Sequence, residues 1–380
     1  MPEKGESKRV VIVFSIASFL NDMGSDIIYP IWPLFVTSFL GANMAILGLI
    51  DGLGNAIVSI SQAISGYLSD RFRKRKIFIW TGYLFGSVSR IGYALSTTWQ
   101  HLIPFRILDR WGKMRGAPRD AIIADVSTRK NRGRNFGLLR TMDNLGAVCG
   151  VLITILFFSQ LGYRNLLFIA SIPSLIGVLL VLTFIKERKT KGIYKGFSLD
   201  HLNKDFRLFL FLSAVFALGS FSYSFLLVYA KEFGFETTFI PVLYLVFTVV
   251  ASLVSLPFGK LADKIGRKSV LVLSYLFFGL MSLGFVLIES YLGLVLLFIL
   301  YGLHLGAMEP VQRTFVSELS PVKYRASSIG TYKMIVSLCA LPASLIAGLL
   351  WEGVNKFAPF YFSLVLTVVS IILILFVKED

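Results

Sequence analysis

Twelve times along its 380 residues this chain runs through a predominantly apolar block. Many of these blocks are about 20 residues long, the length that carries a helix across a bilayer core. They fall at roughly 10–37, 45–69, 77–97, 101–125, 136–159, 165–185, 207–230, 239–262, 269–288, 292–318, 327–350 and 358–377. Hydrophobic residues make up 55% of the chain and charged residues 16%, whereas soluble domains sit near ~45–50% and about 25%. The pattern predicts an all-α integral membrane protein of twelve spans. A basic segment at 186–206, KERKTKGIYKGFSLDHLNKDF, divides the chain nearly in half, and predicts a six-span unit over 1–185 and another over 207–380.

The net charge of +16 could suggest a nucleic-acid partner, but its placement argues otherwise. Of the cations outside the spans, 25 fall at the two termini and the even-numbered loops, and 3 (Arg164, Lys231 and Lys356) at the odd-numbered loops. The positive-inside rule reads that asymmetry as both termini on the cytoplasmic side of the cell membrane. No nucleic-acid-reading motif accompanies the charge. Cys149 and Cys339 both lie within spans, which excludes a disulfide framework or a CxxC metal site. The basic N-terminus leads into an apolar run too long for a removed signal, so it reads as the first span.

Two stretches, GYLSDRFRKRK from Gly66 and GKLADKIGRKS from Gly259, stand 193 residues apart. The same shift pairs Asp70 with Asp263, Asp125 with Glu318, Ser127 with Ser320, Arg132 with Arg325 and Gly137 with Gly330. A six-span offset makes the halves parallel repeats related by an axis along the membrane normal. Where the second copy has Gly266, the first has Arg73. Glycine adopts a left-handed turn readily and arginine does not, so the first loop is expected to turn differently.

The second stretch, with its weaker copy, resembles the signature loop of the major facilitator superfamily, and the 6 + 6 arrangement agrees over the whole chain. The resemblance implies two six-helix bundles around a central cavity and transport by alternating access. It also implies gating at Gly66, Asp70, Arg71, Gly259, Asp263, Lys264 and Arg267. Asp70 is then expected at the N-terminal end of the eleventh span and Asp263 at that of the fifth, where a carboxylate complements the helix dipole. The stretches NDMGSDIIYPIWPLF, PRDAIIAD and ALPASLIAGLLWE are similar to a prokaryotic branch presumed to contain proton-coupled exporters. In GAVCGVLI of the fifth span, Gly146 and Gly150 fit close helix packing, while Val151 stands where antiporters of the superfamily carry proline. That departure keeps uptake of an anionic solute as the alternative to export.

Charges within spans are costly at a lipid-facing position, about 2.5–3.5 kcal/mol or more each, so they must face protein or water. Asp22 and Asp26 share a face of the first span at i and i+4, a stripe that Tyr29 and Pro33 would continue. Two carboxylates in a low-dielectric cavity repel, so one is expected to hold a proton near neutral pH, as coupling to a proton gradient requires. The alternative is a permanent ion pair with the fourth span. There, Arg106, Asp109, Arg110 and Lys113 are predicted on one face, at depths comparable to the two acids. A second cluster is expected nearer the cytoplasm, from Arg115, Arg119 and Asp120 with Arg140 and Asp143. Gating is favoured for this inner set; for Arg106 and Arg110, anion binding and gating stand level. In the second half Glu309 is the candidate substrate or proton site, and Pro310 beside it predicts a distorted tenth span. His304 and Met308, at i and i+4, fit packing better than a soft metal site.

No P-loop is present, and neither a nucleophile–base pair nor a metal triad appears. The expected protein is therefore not an enzyme and needs no cofactor. It is a monomeric transporter whose partners are a small-molecule substrate, protons and the lipid bilayer. Its substrate site would be built from Tyr29, Arg106, Arg110 and Glu309.

Overall fold

The computed structural model describes residues 4–72, 74–128, 131–187, 204–320 and 325–379, which are helical almost throughout. The helices are α1 (Lys4–Ile28), α2 (Trp32–Leu34), α3 (Met44–Arg71), α4 (Lys76–Leu95), α5 (Leu102–Trp111), α6 (Gly116–Val126) and α7 (Arg132–Phe184). They continue as α8 (Lys204–Gly219), α9 (Ser224–Phe233), α10 (Ile240–Ile265), α11 (Arg267–Leu287), α12 (Tyr291–Glu318), α13 (Arg325–Gly353) and α14 (Ala358–Leu375). Together they form the twelve expected spans. Most of the central segment 186–206 lies outside the described residues.

Several spans are not single straight helices. The 53 residues of α7 would reach about 80 Å if continuous, far more than a bilayer needs. Gly162 breaks it with φ +66°, and the chain reverses there. Before the break, Gly146 and Gly150 climb α1 past Phe19 and Met23. After it, Ser174 and Gly177 descend α1 past Asn21 and Ala17. The fourth span consists of α5 and α6 joined by a tight 3₁₀ turn, Gly112–Arg115. The seventh is interrupted between Gly219 and Ser224. Conversely, α12 continues through Pro310. The stripe predicted to run from Asp22 through Tyr29 to Pro33 also stops short. Proline lacks the N–H that would continue the ladder, and α1 ends at Ile28, two residues before Pro30.

Among the described residues, nine helical stretches are long and apolar enough to cross a membrane, with α7 counted once and α8 taken together with α9. The other two spans, α4 and α5–α6, carry Arg90 and the arginines of the fourth span. Large apolar side chains such as Leu253 (70% exposed) and Leu292 (73%) face outward, as lipid permits and water does not. This is a multi-pass membrane protein.

The chain packs as two compact units. One contains residues 1–41 and 57–194, the other residues 42–56 and 195–380. The core of the first draws Val10, Phe14 and Ala17 of α1 together with Ile79 and Tyr83 of α4, Ile122 and Ile123 of α6, and Leu139 and Val181 of α7. The second is built on aromatic contacts: Phe285 stacks on Phe360 at 4.9 Å and meets Tyr229 edge-on at 5.1 Å. The first half of α3 belongs to this unit. Glu352 accepts the Met44 N–H at 2.8 Å. A Cβ on Gly48 or Gly52 would collide with the backbone of α13 at Ser344 or Leu341.

Candidate functional site

The first unit holds the charges in two groups. In the outer one, α5 buries Arg106, Asp109 and Arg110 together. The Arg106 guanidinium lies 4.3 Å from the ring centre of Trp32, and that ring packs on Tyr93 at 4.9 Å. Arg110 lies 5.3 Å from the ring centre of Tyr29, donates to its hydroxyl at 3.2 Å and approaches Asp109 to 3.5 Å. Stacking on an aromatic face offsets part of the cost of burying a cation, by about 0.5–2 kcal/mol each. Asp109 sits in the combined field of Arg110, Arg90, Arg106 and Lys113. Asp26 is 8% exposed and lies within electrostatic reach of Tyr29.

Asp22 belongs to the inner group instead. The amide of its neighbour Asn21 donates to it at 2.9 Å, and its carboxylate interacts with that of Asp143 on α7. Ser18, one turn before Asp22, accepts from Arg119 at 2.7 Å and lies close to Asp143. Arg119 also pairs with Asp120 at 3.0 Å, and Arg140 approaches Asp143 to 3.5 Å. The fourth and fifth spans therefore meet here as expected, with the first span between them. Arg115 takes another path. It donates back to the Gly112 carbonyl at 2.9 Å and stacks on Tyr83, with 4.8 Å from guanidinium to ring centre.

Arg90 on α4 is a functional candidate that sequence reasoning did not single out. It is 2% exposed and donates to Ala170 O (2.8 Å), Ser174 Oγ (2.5 Å), Asn21 O (3.2 Å) and Ser25 Oγ (2.8 Å). One side chain thus ties α4 to α1 and to the second half of α7. The sequence signal was Gly24: a Cβ there would fall 2.2 Å from the Arg90 guanidinium, so glycine leaves room for the cation.

In the second unit Glu309 pairs with Arg313 at 2.6 Å and is 72% exposed. His304 is buried, shares hydrogen bonds with Ser274 at 2.9 Å and packs against Phe278, with ring centres 4.8 Å apart. No group of three or more His, Cys, Asp or Glu among the described residues could hold a metal ion. Asp51, also without an assigned role in the sequence reading, is buried and accepts from Ser222 (2.7 Å) and Ser224 (2.5 Å) where the seventh span is interrupted.

The two basic loops repeat their contacts as well as their sequence. Arg75 pairs with Asp125 at 2.6 Å and Arg267 with Glu318 at 3.2 Å, which gives the aligned acids one shared task. Glu187 accepts the N–H groups of Arg75 (2.8 Å) and Lys76 (3.1 Å) at the start of α4. At the start of α11, Glu379 does the same for Arg267 and Lys268. These caps went unnoticed because the structural offset is 192 residues, not 193. The second loop turns on Gly266 alone, at φ +94°, whereas the first needs residues 72–75. Asp263 pairs with Arg267 at 2.7 Å and Arg71 donates to Tyr67 at 3.3 Å; Lys264 is exposed. A Cβ on Gly66 would only touch Ala117, and one on Gly259 would meet nothing. The side chains of Asp70 and Arg73 lie outside the described residues.

Comparison with known proteins agrees with this architecture. The family model described as Major Facilitator Superfamily matches residues 14–199 and 207–380. An uncharacterized MFS-type transporter of Methanocaldococcus jannaschii is 38% identical over 384 residues, covering 98% of this chain and 96% of the relative. Multidrug resistance protein 1 of Bacillus subtilis is 25% identical, covering 97% and 96%. Among solved structures, the nucleoside transporter NupG shares the fold with a TM-score of 0.75 at 18% identity, over 96% of this chain and 97% of that one. With twelve spans, a doubled signature loop and full-length matches in agreement, the chain belongs to the major facilitator superfamily and is a transporter, not an enzyme.

Proposed function

We propose that this transporter exports small amphipathic solutes across the cytoplasmic membrane in exchange for protons, by alternating access of two six-span units, 1–185 and 207–380, joined by the loop 186–206. The observation that supports it most is the set of acids buried in the first unit, Asp26 and Asp143 with the half-buried Asp22, among arginines stacked on aromatic rings. Coupling is a difference in proton affinity between two states. Carboxylates whose neighbours are mobile helices supply that difference. Asp22 and Asp26 are the coupling groups in this reading, and Tyr29, Arg106, Arg110 and Glu309 contact the solute.

Gating falls to the inner cluster (Arg115, Arg119, Asp120, Arg140, Asp143) and to the two basic loops at Gly66, Asp70, Arg71, Gly259, Asp263, Lys264 and Arg267. The charge asymmetry orients both termini to the cytoplasm, and the protein works as a monomer. The multidrug resistance relatives support export. A second reading, proton-coupled uptake of an anionic solute, is favoured by Arg106 and Arg110, whose guanidiniums fork onto carboxylates.

Proteoliposomes with an imposed pH gradient test the reading against a panel of amphipathic cations, neutral drugs and organic anions. Counterflow of an amphipathic compound against the proton gradient is expected. Accumulation of anions alone, in the direction of proton flow, would establish the second reading in its place.

A further inference from the structure

Hydroxyls buried in helices normally bond back to the carbonyl one turn earlier. Thr154, Thr367 and Ser370 do so in this chain. Six buried hydroxyls among the described residues of the second unit have no hydrogen-bond partner: Ser213, Tyr275, Ser282, Ser328, Thr331 and Tyr332. Ser213 on α8, Tyr275 on α11 and Tyr332 on α13 are all buried, yet none of the three oxygens has a hydrogen-bond partner among the described residues. Ser213 lies close enough to interact with both phenols. Ser213 lies on α8 between Phe209 and Phe216, the residues on which the two phenol rings stack. The walls are aromatic: Phe216 stacks on Tyr275 at 4.3 Å and Phe209 on Tyr332 at 5.6 Å. On α13, Ser328 and Thr331 share the face of Tyr332 and likewise lack partners.

The first unit shows what such a position can hold. There, on α1 and α4, the repeat equivalents of α8 and α11, Ser18 accepts from the Arg119 guanidinium at 2.7 Å, and Tyr83, whose hydroxyl has no hydrogen-bond partner among the described residues, lies in the field of that cation. The 193-residue repeat puts the shorter, neutral Gln312 in place of Arg119. A buried hydroxyl left unbonded costs about 1–3 kcal/mol, and three would be a heavy loss in one core. Buried water typically makes about 3 hydrogen bonds to such groups.

We propose that Ser213 Oγ, Tyr275 Oη and Tyr332 Oη bind a buried water molecule, which fills in the second unit the place that a guanidinium fills in the first. This inference does not depend on transport direction or coupling, so its failure would leave the proposed function standing.

The test is thermal unfolding of the full chain in detergent, for Ser213→Ala, Tyr275→Phe, Tyr332→Phe and the double Tyr275→Phe/Tyr332→Phe. Each single change is expected to lower the melting temperature by about 2 °C or more, and the double by less than the sum, because one water is lost once. Singles that leave it unchanged or raise it would overturn the proposal, as would additive losses. Hydroxyl-radical footprinting gives an independent readout. Tyr275 and Tyr332 should be labelled well above Tyr93, which is equally buried and bonded to Phe105 O. Equal, low labelling of all three would contradict a bound water.

Discussion

Arg90 shows how a single side chain organises a membrane unit. Its guanidinium reaches carbonyls and hydroxyls on two segments, α1 and the second half of α7, and in a low-dielectric interior such charge-assisted bonds are strong. Arg90→Met should cost about 3 kcal/mol or more of stability, because the acceptors remain buried without a donor. Arg90→Lys should rescue it only in part, since an ammonium cannot reproduce the planar fork. Thermal unfolding in detergent of the two variants checks both expectations. The same resolution separates Asp22 from Asp26. Spacing placed them on one face of a helix, but spacing does not say what stands opposite. Asp26 lies within electrostatic reach of Tyr29, and Asp22 of Asp143.

Among the elements, the loops that begin α4 and α11 perform one task with two backbones. Gly266 holds φ +94° and ψ 152°, an essentially glycine-only conformation that costs an L-residue about 1–3 kcal/mol. Gly266→Ala should therefore lower stability measurably, while Gly259→Ala, in open space, should leave it unchanged. Thermal melts of the two variants would show a clear difference. The twelve spans, the repeat and the close approach at Gly146 and Gly150 were legible in the sequence, since length, offset and residue size encode them directly. The interruptions were not. Pro310 lies inside α12 without ending it, while the seventh span breaks at Ser220–Tyr223 without proline. There the hydroxyls of Ser222 and Ser224 turn to Asp51, 171 and 173 residues away. Tertiary partners decide such cases, and one sequence does not display them.

At the scale of the whole molecule, α3 is shared: residues 42–56 pack with the second unit and residues 57–71 with the first. The account stands or falls, however, on proton coupling through the first span. Asp22→Asn and Asp26→Asn, reconstituted in proteoliposomes, should be compared in gradient-driven flux and in solute exchange at zero gradient. Loss of gradient-driven flux with exchange partly retained is the predicted result for at least one of them. Unchanged pH-dependent transport in both would contradict the claim.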